Sequence, residues 1–350
     1  MKAMLAVGVA AVVLFPAPVL ALPDGTEVQA YETGLAFPVD MAWVKGTKKI
    51  FFTEKDSGNI RVLNKGKLLA TSCRNLDVDN SGERGALGIA LDPDYQDNHR
   101  LYVYYTNRDP LENRVTRFKV KNNRCKNPTN IITGISSASG YHNGGQLEFV
   151  RGKLFVTTGE GHDPSEAQDT GNRLGKVLRY TPGGKIPDGN PFSTADSKSS
   201  VWSYGHRNGF GLAHKPGTNL LYQTENGPSC DDELNLIKKG RNYGWGSGYT
   251  CGTKGVGPDP KGPMKRWSSV IAPTDPTWYE GKLDALDKDL YMGDYNNGHL
   301  HRLVIKGDGT KFKKDRIIYR SGDSIQDVAE GPGGWLYFAT TTGIFRIVET

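Results

Sequence analysis

The chain has 350 residues, of which 37% are hydrophobic, a proportion that suits a packed core and excludes a disordered protein. The formal net charge is +6 without a basic block or an arginine stripe, which argues against a nucleic-acid-binding protein. The 44 glycines and 19 prolines have no collagen-like period and are typical of many short strands joined by tight turns.

The first 21 residues predict a secretory signal peptide. Lys2 is followed by a short apolar run over residues 3–15, and residues 19–21 include small side chains suited to signal peptidase. The run is too short to span a bilayer, although a retained membrane anchor is the alternative interpretation. Cleavage after Ala21 removes one charged residue, Lys2, and lowers the net charge from +6 to +5. We therefore expect a secreted or periplasmic protein, with residues 22–350 as its mature part and no stable membrane insertion.

The rest of the chain repeats one pattern of strand, turn, strand, turn and strand. Six segments follow it, over residues 41–63, 87–105, 146–180, 211–224, 289–304 and 327–347. Their strands are rich in Val, Ile, Leu, Phe and Tyr and are bounded by Gly, Pro and Asp. No long stretch shows an apolar period of 3.6 residues, so we expect few helices. Such β units recurring about every 50 residues favour propeller blades over a β-sandwich, which does not explain repeated meanders. The sequence predicts an all-β fold, a six-bladed β-propeller of four-stranded antiparallel blades, as one domain over residues 22–350.

The chain has four cysteines, Cys73, Cys125, Cys230 and Cys251. In an exported protein an even number favours disulfides, and four cysteines permit three pairings. No two of them form a CxxC motif, which argues against a zinc site or a redox dithiol. Because Cys230 and Cys251 bracket one loop-rich segment, we expect the pairs Cys230–Cys251 and Cys73–Cys125.

Three segments carry more polar residues and glycines than turns require. They are residues 140–147, 204–212 and 225–235. Functional residues of a propeller collect in the loops at one face, so these segments are the candidate site.

At these segments the chain resembles the soluble PQQ-dependent sugar dehydrogenases, the glucose/sorbosone dehydrogenase family. Residues 82–90 are similar to an early part of that family and residues 174–179 to its middle, and the similarity continues to the C-terminus. The resemblance implies a six-bladed propeller with pyrroloquinoline quinone (PQQ) over the channel and Ca²⁺ beside it.

The resemblance also implies roles for individual residues. His142 takes the place of the catalytic base, since an imidazole can accept the proton of a sugar hydroxyl. Arg207 and Asn208 match residues beside the cofactor, where a guanidinium stabilises developing negative charge. The main-chain carbonyls of Gly227 and Pro228 match calcium ligands, and such oxygens suit a hard cation.

Several positions depart from the family pattern. Tyr141 stands where glucose-oxidising members have an Asp, and Glu83 replaces a cofactor-contacting Gln. Asn296 replaces a cofactor-binding Lys, and Ser324 and Gln326 replace an Arg pair. PQQ carries three carboxylates, so these changes remove charge-assisted pairs, and the sequence leaves PQQ binding open.

The function implied is an exported quinoprotein sugar dehydrogenase. It would oxidise an aldose or related sugar at C1 by hydride transfer to PQQ, with Ca²⁺ as a Lewis acid, and pass electrons to an acceptor. One alternative is a non-catalytic exported propeller that binds a glycan or protein partner. Another is a Ca²⁺-dependent lactonase-type hydrolase, which needs several side-chain oxygens that the Gly-Pro motif does not supply. The sequence does not identify the sugar, the electron acceptor or the oligomeric state.

Overall fold

The computed structural model describes residues 22–193, 199–286 and 288–350; the predicted signal peptide lies outside these residues. The described chain is mostly strand, with two short helices, α1 (Tyr95–Asn98) and α2 (Pro164–Gln168), and a 3-10 turn at Pro332–Gly334. The prediction of an all-β protein with few helices is confirmed. None of the helices in these ranges is long and apolar enough to cross a bilayer.

Two antiparallel sheets follow the N-terminal strand β1 (Thr26–Thr33). The first contains β2 (Pro38–Val44), β3 (Lys49–Glu54), β4 (Asn59–Asn64), β5 (Lys67–Leu68) and β6 (Arg74–Asn75). The second contains β7 (Ala86–Leu91), β8 (Arg100–Asn107), β9 (Glu112–Lys121) and β10 (Arg124–Ile135). In both sheets the strands pair in chain order, as expected for meanders joined by short turns, except that β6 pairs with β4.

Two further four-stranded antiparallel sheets follow. One contains β11 (Leu147–Val150), β12 (Lys153–Thr158), β13 (Lys176–Tyr180) and β14 (Val201–Tyr204). The other contains β15 (Gly209–His214), β16 (Leu221–Glu225), β17 (Asp232–Ile237) and β18 (Lys265–Trp267).

The last sheet has eight strands and joins the two ends of the described chain. It contains β19 (Pro273–Trp278), β20 (Leu290–Asp294), β21 (His299–Lys306), β22 (Lys311–Arg320), β23 (Ile325–Glu330), β24 (Leu336–Thr340), β25 (Gly343–Glu349) and β1. Strand β1 pairs antiparallel with β25, so that the first and last described strands lie side by side.

The prediction of a six-bladed β-propeller of four-stranded antiparallel blades is wrong. The described strands form five sheets, of which three have four strands, one has five and one has eight. Within the eight-stranded sheet, β19 and β23 are joined by a parallel pairing of Asp275 with Asp327. Repeated strand and turn signals predict each meander, but they do not show where the backbones of two meanders come close enough to pair.

The inner strands form a propeller-like ring around a channel. Strands β2, β7, β11, β15, β19 and β23 contact one another in this order, and β23 also contacts β2. Carboxylate oxygens of Asp40, Asp275 and Asp327 lie in the channel within 4.8 Å of one another. Each of these carboxylates accepts a backbone N–H from another inner strand, at 2.6 Å from Ile89, 2.8 Å from Leu212 and 2.9 Å from Met41 respectively. The carboxylates thus link neighbouring inner strands.

Apolar cores fill the spaces between neighbouring sheets. One core packs Phe51 and Val62 of the first sheet with Leu101 and Val103 of the second, all of them fully buried. The disulfide Cys73–Cys125 lies in this same core and joins the two sheets. The second disulfide is Cys230–Cys251, so both predicted pairings are confirmed.

Candidate active site

A cavity of about 320 Å³ opens at the end of the channel where the inner strands begin. This volume is in the usual range for small-molecule sites. The following residues, contributed by loops and strand ends of several sheets, line it: Phe37, Val39, Lys55, Gly82, Glu83, Leu87, Asn208, Phe210, Asn226, Ala272, Thr274, Tyr295 and Gln326. Lys55 and Glu83 are the charged residues among these described lining residues, so the cavity holds one side chain of each sign.

Glu83 connects two other predicted site residues, His142 and Asn208. Its Oε2 accepts the backbone N–H of His142 at 2.7 Å and the side-chain amide N–H of Asn208 at 3.3 Å. Asn208 in turn accepts the backbone N–H of Gly144 through its Oδ1, at 3.1 Å. The structure therefore brings Glu83, His142 and Asn208 together from three different sheets or loops.

His142 is held by a second carboxylate. Its Nδ1 lies 2.5 Å from Oε2 of Glu160, and the two residues are 7% and 1% exposed. A carboxylate only accepts hydrogen bonds, so Glu160 selects the imidazole tautomer that carries its proton on Nδ1. The other ring nitrogen, Nε2, then has a free lone pair and can accept a proton from a substrate.

Glu160 has no role in the sequence analysis, yet it is the residue closest to the predicted base. It follows the end of β12, and Gly159 precedes it. A Cβ at position 159 would lie 1.9 Å from the carbonyl oxygen of His142, so only glycine permits this approach of the two loops. An acid two residues after the end of a strand at the loop face is a signal that could have identified Glu160.

Arg207 is attached to the same group through its backbone. Its carbonyl accepts the N–H of Glu160 at 2.8 Å, and its own N–H donates to Oε1 of Glu225 at 2.5 Å. The guanidinium donates to the carbonyl of Asn226 at 2.9 Å and lies 5.4 Å from the ring centre of Trp245. Burial lowers the pKa of Arg207, while the surrounding carboxylates, Glu160 first, act in the opposite direction. Arginine remains charged in proteins, so a fixed cation lies beside the predicted base.

The loop that carries Gly227 and Pro228 is fixed by Asp232. Oδ1 of Asp232 accepts the N–H of Gly227 at 2.7 Å, and Oδ2 accepts the N–H groups of Ile271 and Ala272 at 2.6 and 2.7 Å. Burial raises the pKa of Asp232, and the three backbone donors oppose that shift. Through these three hydrogen bonds, Asp232 positions the loop that carries Gly227 and Pro228.

Gly227, Pro228 and Arg207 line one small cleft, and Asn226 lines both this cleft and the main cavity. Among the residues that the structure describes, no hydrogen bond ends on the carbonyl oxygen of Gly227 or Pro228. Oδ1 of Asn226 is buried and likewise has no partner within the described ranges. Unpaired carbonyl and amide oxygens are the donors that Ca²⁺ prefers, so the loop fits this ion.

The remaining predicted residues lie in different places. Asn296 is exposed and donates through its side chain to the carbonyl of Val270 at 3.0 Å, and its neighbour Tyr295 lines the cavity instead. The structure thus does not bring the Asn296 side chain to the cavity. Gln326 lines it as a neutral amide. Lys55, for which the sequence provided no signal, supplies a cation to the cavity wall.

A model of the family described as Glucose / Sorbosone dehydrogenase matches residues 35–347. The aldose sugar dehydrogenase YliI of Escherichia coli (strain K12) is 30% identical over 344 residues, which cover 91% of each chain. The quinoprotein glucose dehydrogenase B of Acinetobacter calcoaceticus is 30% identical over 239 residues, covering 59% of this chain and 48% of that protein. The solved PQQ-bound form of an aldose sugar dehydrogenase from Streptomyces coelicolor superposes with a TM-score of 0.79 at 29% identity, covering 93% of this chain and 99% of that one.

Proposed function

This chain belongs to the glucose/sorbosone dehydrogenase family, and on that premise we propose that it is an exported quinoprotein that oxidises an aldose or related sugar at C1. The membership confirms the resemblance noted in the sequence. The single observation that carries the proposed reaction is the buried pair of His142 and Glu160, which Glu83 links to a cavity of small-molecule size.

In this reaction His142 is the general base. Its Nε2 accepts the proton of the anomeric hydroxyl, while Glu160 keeps Nδ1 protonated and stabilises the imidazolium that forms. PQQ, when bound, supplies the acceptor for the hydride that leaves C1, and the sugar becomes a lactone. Arg207 is a fixed positive charge that would stabilise the negative charge developing on the hydride acceptor.

The residues of the main cavity support PQQ binding in part. Lys55 and the nearby Arg207 offer cations to a tricarboxylate, and Asn208 and Asn226 offer amides. Glu83 opposes this attraction with a negative charge at the cavity wall. The solved PQQ-bound relative from Streptomyces coelicolor supports the same cofactor here.

Ca²⁺ is proposed at the oxygens of Gly227 and Pro228. Their carbonyls are unpaired within the described residues, and the disulfide Cys230–Cys251 restrains the loop that presents them. A cation at this place would neutralise part of the charge of a cofactor lying between this loop and Glu83.

Export is proposed from two observations. Residues 1–21 have the composition of a signal peptide, and the two disulfides suit an oxidising compartment. The electrons taken from the sugar would then pass to an external acceptor.

The test is dye-linked sugar oxidation by the purified protein with PQQ and Ca²⁺, added separately and together. We expect activity toward aldoses that requires both additions and is lost in His142→Ala. His214→Ala is the matched control, because its half-buried side chain contacts the carbonyl of Thr218 at 2.9 Å and is not among the described residues that line the cavity. A folded protein that neither binds PQQ nor oxidises any sugar would favour the non-catalytic alternative, for which the neutral Asn296 and Gln326 are the motivating residues.

A further inference from the structure

Two histidines and an aspartate converge at the connection between β20 and β21. Asp294 ends β20, and His299 and His301 lie two positions apart on β21, so their side chains share one face of the sheet. Nδ1 of His299 lies 3.3 Å and Nε2 of His301 lies 3.0 Å from the same oxygen, Oδ2 of Asp294. All three ligand atoms lie within 4.8 Å of one another.

A second carboxylate orients His301 toward this point. Nδ1 of His301 lies 2.8 Å from Oδ1 of Asp315, whose other oxygen accepts the indole N–H of Trp267 at 2.8 Å. With Nδ1 committed to Asp315, only Nε2 faces Asp294 and His299. Metal-bound histidines in proteins characteristically have a carboxylate on the ring nitrogen that is not bound to the metal.

We propose that Asp294, His299 and His301 form a binding site for a divalent transition-metal ion of the Zn²⁺ type. Two imidazoles and one carboxylate are a known zinc ligand set, and the bonds are about 2.0–2.2 Å long. Two such bonds at a tetrahedral angle separate the ligand atoms by roughly 3.3 Å, close to the two nitrogen–oxygen distances in the structure. The ion therefore fits with small side-chain movements. It differs in class from the Ca²⁺ proposed near Gly227, which takes oxygen ligands.

The charged groups around this site include two cations. Arg320 is the cross-strand partner of His299, and Lys265 acts on Asp315. Their positive charges disfavour a metal ion, whereas Asp315 and Asp294 favour one. Asp294 is fully buried and His299 is the most exposed of the three side chains, at 15%, so an ion would enter past His299. The fourth position would be left to water on that side.

A purely structural role competes with this proposal. Burial by itself lowers the pKa of His301, but the hydrogen bonds to Asp294 and Asp315 raise it to about 9, so a proton can occupy the place of the metal. The two roles differ in whether the protein binds the ion, and this can be measured directly.

The experiment is calorimetric titration of the chelator-treated protein with Zn²⁺, without PQQ or sugar, followed by Co²⁺ as a spectroscopic probe. We expect one Zn²⁺ per chain and the visible absorption bands of tetrahedral Co²⁺, both lost in His299→Ala. Asp315→Asn should weaken Zn²⁺ binding by about 10–100-fold through His301. His214→Ala should bind as the unchanged protein does.

Absence of Zn²⁺ binding, or equal binding by His299→Ala, would overturn the site. His299 is chosen over His301 because its position at the edge makes loss of folding a smaller risk, and circular dichroism checks that the variant is folded. The result is independent of the sugar oxidation assay, so a failure here leaves the proposed function untouched.

Discussion

His142 Nδ1 lies 2.5 Å from Oε2 of Glu160, and the two residues approach because Gly159 leaves room for the His142 carbonyl. This pair lies at the loop face of the channel, with Glu83 on the backbone of His142 and Arg207 on the backbone of Glu160. His142 is thus fixed through its ring and its backbone, which would reduce the reorganisation needed for the proposed proton transfer.

The first prediction concerns Glu160. We expect Glu160→Gln to lower kcat by about 10²- to 10⁴-fold, because the amide no longer selects the Nδ1-protonated tautomer or stabilises the imidazolium. The measurement is kcat across a pH series with saturating PQQ and Ca²⁺. Asp163→Asn is the matched control, since Asp163 lies three residues away in the same loop and only caps α2 through Ser165. Wild-type kcat in Glu160→Gln would contradict the assignment of His142 as the base.

The second prediction concerns the negative charge at the cavity wall. Glu83→Gln keeps an oxygen for the backbone N–H of His142 but removes a carboxylate from a site proposed for a tricarboxylate. We expect PQQ to bind about tenfold more tightly, equivalent to about 1.4 kcal/mol. Titration followed by PQQ absorbance measures the Kd, and Glu27→Gln on the exposed face of β1 controls for net charge. Weaker PQQ binding by Glu83→Gln would place the cofactor elsewhere.

The third prediction concerns Tyr141, which is 50% exposed and lies in the β10–β11 connection directly before His142. Its ring lies 5.7 Å from that of His162, so the two rings offer an aromatic surface at the base. If sugars stack there, Tyr141→Ala will raise KM for aldoses severalfold with a smaller change in kcat, and Tyr141→Phe will retain the wild-type KM. Leu111→Ala, at another exposed apolar side chain, is the control. An unchanged KM in Tyr141→Ala would exclude this contact.

The fourth prediction concerns the carboxylates of the channel. Burial raises the pKa of Asp40 from about 3.8 to about 7, and the backbone N–H of Ile89 opposes this shift only in part. The folded protein therefore keeps a proton that the unfolded chain releases above about pH 4, so Asp40 lowers the free energy of unfolding as pH rises from about 4 to about 7. The slope contributed by one such group is at most about 1.4 kcal/mol per pH unit.

Asp40→Asn retains an oxygen for Ile89 and removes the titration. We expect the free energy of unfolding of this variant, measured in urea, to decline less between about pH 4 and about pH 7 than that of the unchanged protein. Asp24→Asn, at an exposed position outside the channel, should reproduce the wild-type profile. A variant slope equal to that of the unchanged protein would show that Asp40 does not hold this proton.

Much of the fold follows from local sequence. The predicted segment 41–63 overlaps β2, β3 and β4, and the predicted segment 87–105 overlaps β7 and β8. The short strands β5 and β6 were not predicted, because two-residue pairings leave no period in a sequence. The pairing of Asp275 with Asp327 was missed as well, since it joins strands from two meanders and depends on how closely the inner strands approach around the channel.

The candidate site divides in the same way. Motif similarity identified His142, Arg207 and the Gly227–Pro228 carbonyls, and the structure places Arg207 and those two residues around one cleft. Motif similarity pointed to neither Glu160 nor Lys55, because neither residue belongs to the matched segments.

By itself, the sequence determined the all-β class, the disulfide pairs and the loops that carry the candidate chemistry, because strand periods, turn residues and motifs are local. Only the tertiary structure decided the number of sheets, the partner of His142, and which side chains reach the cavity. Those features depend on distances between residues that are far apart in the chain. In the sequence, Glu160 is one loop acid among many. In the fold its carboxylate lies 2.5 Å from Nδ1 of His142 and selects the imidazole tautomer whose Nε2 can accept a proton.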